Sequence, residues 1–208
     1  MSGLRLIVSL MFLLVSLFSC VPSPNIKLAE DAASRGDLEA AHDYYAAALS
    51  EGAANKSAEE PLKKIRLKLT EQARQKAAAN LQSAQTKNVA AIKQSLSILE
   101  QAKRFDPDGS LLGNDIRNYK NSIVQIDENN RNIAAQANQL IAAGEFAAAR
   151  KNIDVIEQVD PSFAELPNLK QAYKSGYGGQ LEKMILKSYA DGNVEQARAA
   201  MKTWQSLG

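Results

Sequence analysis

The chain has 208 residues, 45% of them hydrophobic and 23% charged, a balance that excludes a disordered polymer and fits one folded domain with a real core. The formal net charge of +2 lacks the basic excess of nucleic-acid-binding domains, and a single cysteine excludes an internal disulfide. Much of the apolar share is alanine and aromatics reach only 6%, which favours closely packed helices, since Ala has the best helix propensity and lets helix axes approach.

The first element is a short apolar run. Arg5 precedes Leu6 to Phe18, interrupted only by Ser9 and Ser16. A helix needs about 20 apolar residues to span a bilayer, so this run has the length of a signal-peptide core. It ends in Leu17-Phe18-Ser19-Cys20, which resembles the lipobox of bacterial lipoproteins, although Phe18 stands where a small residue is commoner. The resemblance implies a signal peptide over residues 1–19, cut before Cys20, with Cys20 acylated (palmitate and related chains) on its sulfur and its new amino group. An ordinary secretory signal with a chance cysteine, or an uncut anchor, is the competing reading. Each buried methylene contributes about 0.8 kcal/mol and two chains already anchor stably. Val21 stands where inner-membrane lipoproteins of many Gram-negative bacteria carry Asp, so the resemblance implies lipid anchoring to the outer membrane with the body in the periplasm. Residues 20–27 form the anchor and a short linker stiffened by Pro22 and Pro24, and residues 28–208 form the body.

The body repeats one layout: a helix, a small or polar turn, and a second helix. The turns are Arg35-Gly36-Asp37-Leu38, Ala143-Gly144-Glu145-Phe146 and Asp191-Gly192-Asn193-Val194. Each glycine can take the left-handed conformation that ends a helix. Asp37 and Asn193 suit the next N-cap, and Glu145 suits it less well. Small residues stand at fixed offsets: Ala29, Ala41 and Ala48 around Gly36, Ala137 and Ala149 around Gly144, and Ala197 after Gly192. The last place of the pattern is Ile156 in one later unit and Trp204 in the other, where the indole is expected to plug the final layer of core, or to mark a docking surface if exposed. Between the first two turns, Pro107 as a closing residue places a degenerate unit with its turn at Ala90, Ser83 and Ser95 at the crossing, and Leu99 in the core.

These offsets resemble the tetratricopeptide repeat (TPR), a 34-residue helical hairpin. The spacings here are about twenty residues longer than that repeat, and the excess falls near residues 54–74, 108–128 and 162–177. The inserts also read as helix. Ser57-Ala58-Glu59-Glu60 fits a capping box before Leu62, Ile65 and Leu69, and Leu112, Ile116, Tyr119, Ile123 and Ile126 form a second stripe. The run Ser175-Gly176-Tyr177-Gly178-Gly179 reads as a break or hinge. The expected fold is therefore all-α: a TPR-like α-solenoid of hairpins with elongated or inserted helices. A plain helical bundle is the alternative.

No catalytic motif, cofactor fingerprint or zinc spacing is present. His42, the one histidine, has no histidine partner and is expected on the solvated side of its helix beside Asp43. Lys63, Lys64, Arg66 and Lys68 form a basic cluster, read either as a solvated face or as a contact for anionic lipid at about 1 kcal/mol per cation.

The TPR resemblance implies a non-catalytic scaffold that binds a protein or peptide in its groove, without a cofactor, metal or nucleic acid. The groove positions lie thirteen, ten, six and three residues before the turn positions Ala90, Gly144 and Gly192. They are Ala77, Asn80, Ala84 and Lys87; Arg131, Ala134, Asn138 and Ile141; and Gly179, Glu182, Leu186 and Tyr189. Asn80, Lys87, Arg131, Asn138, Glu182 and Tyr189 are thus the candidate partner-binding residues, with Cys20 as the lipidation site. The expected function is an adaptor in envelope assembly or secretion, pilotin-like or part of outer-membrane assembly. An adaptor for a peptidoglycan enzyme ranks second and a lytic peptidoglycan enzyme third; the oligomeric state is open.

Overall fold

The computed structural model describes residues 23–84 and 88–207, and they are all helical apart from short connections. Eight helices follow in order: α1 (Pro24–Ser34), α2 (Leu38–Ser50), α3 (Glu59–Ser83), α4 (Val89–Ala102), α5 (Gly113–Ala143), α6 (Phe146–Val159), α7 (Leu166–Ala190) and α8 (Val194–Gln205). Short 3₁₀ turns at Ala53–Ala58 and Lys103–Phe105 precede α3 and follow α4. No described helix is long and apolar enough to cross a membrane. Of the described residues, those up to Ala77 together with 97–116 form one compact unit, and those within 78–96 and from Arg117 onward form a second.

Three turns share one closure. Gly36, Gly144 and Gly192 have φ of 79°, 79° and 75°. In each, the amide after the glycine reaches back five residues: Asp37 N–H to Ala32 O at 2.9 Å, Glu145 to Leu140 at 2.8 Å and Asn193 to Ser188 at 2.8 Å. The glycine amide adds a second bond to Ala33, Ile141 or Tyr189. This Schellman geometry satisfies the last carbonyls of one helix and needs a left-handed residue. The next helix is then capped by Asp37, which accepts from Ala40 N–H, or by Asn193, which accepts from Gln196 N–H. Glu145 makes no side-chain cap, as its longer side chain leads one to expect.

The short turns fold each helix pair tightly, and the small residues lie where the pair meets. Ala29, Ala41 and Ala48 are fully buried in the first unit, as are Ala137, Ala149 and Ala197 in the second. The second unit also holds a cluster of Phe146, Ile153, Ile156, Phe163, Leu166, Leu169 and Tyr173. Phe146 stacks on Tyr177 at 5.1 Å and meets the edge of Tyr173 at 6.1 Å.

The long helices correct two expectations. The glycine run does not break the chain, since α7 continues through Gly176, Gly178 and Gly179. The reason is close approach: a Cβ on Gly176 would stand 2.9 Å from Phe146 Cε1 and 3.3 Å from Ile141 Cγ2. The hairpin between α3 and α4 also has another register. Its turn precedes Ala90, because Asn88 caps α4 by accepting from Ala91 N–H at 2.9 Å. Opposite the buried Ser95 stands Asn80, while Ser83 is exposed.

Two predictions follow from this packing. Ala41→Leu and Ala149→Leu should each overpack a crossing and cost about 1–3 kcal/mol, whereas Lys151→Ala on the exposed side of α6 should leave the melting temperature nearly unchanged. Equal melting temperatures would refute the crossing. Within α7, Gly179 has nothing within 4 Å of an added Cβ. Gly179→Ala should therefore stabilise by about 0.5–1 kcal/mol, while Gly176→Ala destabilises; thermal melts of the pair should move in opposite directions.

Candidate functional site

The candidate residues of the second unit fall on three helices and differ in what holds them. Asn80, on the last turn of α3, donates from its amide to Ala91 O and Ser95 Oγ, both at 2.9 Å. Its amide closes the α3–α4 hairpin instead of facing a partner, a correction to its expected role. Two residues of the groove expectation are core: Ala77 and Ala134 are each 1% exposed. On α5, Arg131 and Asn138 remain exposed, with Arg131 paired to Asp127 at 2.7 Å one turn earlier. Buried Ala134 stands between them, so this side of α5 is two polar points beside the core cluster and not a continuous strip. On α7, Glu182, Leu186 and Tyr189 are exposed together at helical spacing. Cys20 and Lys87 lie outside the described residues.

Trp204 does not plug a layer of core. Its indole is 51% exposed and lies over α7, with Nε1 3.5 Å from where a Gly178 Cβ would stand. Met201 and Val194 on the same helix are exposed as well. The sequence carried this signal only as an alternative, because the offset that is apolar and buried in the earlier hairpins is also apolar here.

The first unit offers clefts instead of a strip. One, of about 340 Å³, has an apolar floor of Leu49, Leu62, Leu67, Phe105 and Leu111, with Lys63, Arg66 and Asp108 among its lining residues. The basic cluster is therefore divided: Lys63, Lys64 and Lys68 are exposed, while Arg66 is half-buried with Nε enclosed and unpaired. The Ser110 amide holds the Asp108 carboxyl below its ordinary range. Buried Asp106 accepts from the amides of Leu111 and Leu112, the latter at 2.7 Å, and so shapes the loop before α5. Asp160 binds Ser162 in the same manner before α7. Sequence reading picked out Pro107 but missed Asp106 before it; Asp160 holds the corresponding place before Pro161.

A second cleft, about 510 Å³, lies between Glu39, Leu69, Lys76, Gln101 and Arg104. Arg104 pairs with Glu39 and covers the ring of Phe105. That ring meets His42 edge-on at 5.0 Å. His42 is thus buried, not solvated, with Nδ1 2.9 Å from Asp43. It is a packing residue of the core. Arg74, whose pKa is raised above its ordinary value chiefly by its hydrogen bond to Asp115, fastens α3 to the start of α5. Burial likewise pushes the phenols of Tyr45 and Tyr173 upward. Among the described residues no three acids, histidines or cysteines gather as a metal site.

No family model, curated protein or solved structure matches this chain.

The different roles of Asn80 and Arg131 can be read from stability. Asn80→Ala removes two partly buried hydrogen bonds and should cost about 1–2 kcal/mol. Arg131→Ala removes one exposed pair within a helix and should cost less than about 0.5 kcal/mol. Denaturant melts giving equal losses would put Arg131 inside the fold's support and not on a free surface.

Proposed function

We propose that the chain is a lipid-anchored, non-catalytic adaptor of the bacterial envelope, which holds a partner protein during assembly or secretion. In this reading its hairpins form a TPR-like solenoid with elongated first helices. The glycine-closed turns and the buried alanines at their offsets support that finer assignment. The lipobox-like Leu17-Phe18-Ser19-Cys20 supports the anchor, and Val21 supports outer-membrane sorting.

The observation that carries the reading is the side of α7 that holds Glu182, Leu186 and Tyr189. Leu186 is 65% exposed and Tyr189 is 52% exposed, on one continuous helix. Large apolar groups held in solvent on a rigid element suit recognition of another protein, where Tyr and Arg tend to dominate the binding energy. Exposed Arg131 and Asn138 on α5 would add polar contacts.

A photo-crosslinking amino acid at Glu182 or Tyr189, in the full chain in its own membranes, tests the reading. One protein adduct common to both sites is expected, and its identity separates an assembly component from a peptidoglycan enzyme. The Arg131→Ala/Tyr189→Ala chain should recover less of that adduct's protein when cross-linked elsewhere, with its melting temperature unchanged. Lipid adducts alone, or none, would remove the adaptor reading. In the same preparation the mature mass should include acyl chains, and Cys20→Ala should leave an unprocessed or soluble form. A mass without acyl groups would end the anchor assignment.

A further inference from the structure

We propose that the last hairpin presents a docking face for one amphipathic helix of a partner protein, along Tyr189, Val194, Met201 and Trp204, and that this helix brings a carboxylate to Lys202. The inference deepens the adaptor reading and rests on it.

Equivalent positions in successive hairpins differ in what covers them. Counting from the turn glycine, the third residue before it and the second, ninth and twelfth after it lie toward one side of each hairpin. Around Gly144 they are Ile141, Phe146, Ile153 and Ile156; the last three are buried and Ile141 is half-buried. What covers them is α7. Tyr173 and Tyr177 lie against Phe146, Gly176 against Ile141 and Phe146, and Phe163, Leu166 and Leu169 join the cluster of Ile153 and Ile156. Around Gly36 the same offsets are Ala33, Leu38, Tyr45 and Ala48, half-buried or buried. Around Gly192 they are Tyr189, Val194, Met201 and Trp204, exposed by 52%, 47%, 37% and 51%. The side chains are still apolar, and apart from the edge of Trp204 that rests on Gly178 of α7 no further helix among the described residues packs across them. A stacked hairpin gains its stability from the neighbour that buries this side, so the uncovered strip has the chemistry of a helix-in-groove site.

Charge selects the occupant. In the third hairpin Glu157, thirteen after the glycine, takes the ammonium of Lys170 from the covering helix. Gln205 stands at that offset in the last hairpin, and Lys202 stands where the third has Asp154. Arg198 on α8 is already paired with Glu195. A helix like the start of α7 would bring a lysine to a cationic edge, whereas one with an acid in that place meets Lys202 favourably.

Trp204, the one tryptophan of the chain, reports on this face directly. The test is the full chain carrying after Gly208 a flexible linker and a second copy of residues 161–178, which contains no tryptophan. The tether makes docking intramolecular, so a weak site still fills. With Lys170→Glu in the added copy, the emission of Trp204 should shift to the blue and its quenching by acrylamide should fall. With Lys170 retained, both changes should be smaller at low salt. Met201→Asp should abolish them, and Val194→Asp, at a more exposed site, serves if the first variant melts early. Unchanged emission on tethering, an equal response in the Asp variants, or no preference for Glu over Lys would overturn the proposal. A concentration-dependent dimer of the untethered chain whose formation shifts Trp204 would assign the face to a second copy instead. Cross-links at Glu182 in native membranes would survive any of these failures, so the adaptor reading is judged separately.

Discussion

Two helices can lie close enough to share a turn of two or three residues only where neither carries bulk at the crossing and where one residue tolerates positive φ. The fold depends on this constraint. Ala41, Ala149 and Ala197 are among the fully buried contacts, and Gly36, Gly144 and Gly192 are the residues that reverse the chain. Each hairpin so made has one apolar side that it cannot bury itself. The length of α7 follows from that need. α7 spends its first half on the side of α6 that holds Ile153 and Ile156, and only its second half pairs with α8. What looks like insertion beyond a compact hairpin is the cover for the preceding one.

The parts of this arrangement that are local were readable from residues. A glycine followed by Asp or Asn marks both the end of one helix and the cap of the next, and alanines at repeated offsets mark the crossing. The parts that depend on distant contacts were not. Gly176 looks like a helix breaker until Phe146 is placed against it. His42 looks solvated until Phe105, more than sixty residues later, covers it. The register of the α3–α4 hairpin was counted back from Pro107, whereas Asn88, a good cap three residues before Ala91, was the nearer signal. Trp204 was expected in the core because its offset is buried elsewhere. That expectation needs a following helix to cover it, and no sequence position of this hairpin reports on one.

Among the candidate site residues the same division holds. Counting along the helices brought Arg131, Asn138, Glu182 and Tyr189 to exposed positions, because exposure on a long helix follows its period. The count could not tell that Asn80 would satisfy Ser95 and Ala91, or that Ala134 would join the core. The surface that supports an adaptor role therefore lies mainly on α7 and α8, and Tyr189 belongs both to the α7 face and to the uncovered side of the last hairpin. A protein held there would bury apolar groups that the chain otherwise leaves in water, a driving force that requires no catalytic chemistry.

The last hairpin holds its apolar side open among the described residues, and Trp204 measures this without modification of the chain. Fluorescence of the isolated protein, with acrylamide as quencher, reads the accessibility of that single indole. An open side gives emission at the long wavelengths of a water-facing tryptophan, strong quenching, and no dependence on protein concentration. Short-wavelength emission that resists quenching in the isolated monomer would show the side already covered, and would contradict both the exposed face and the docking role built on it.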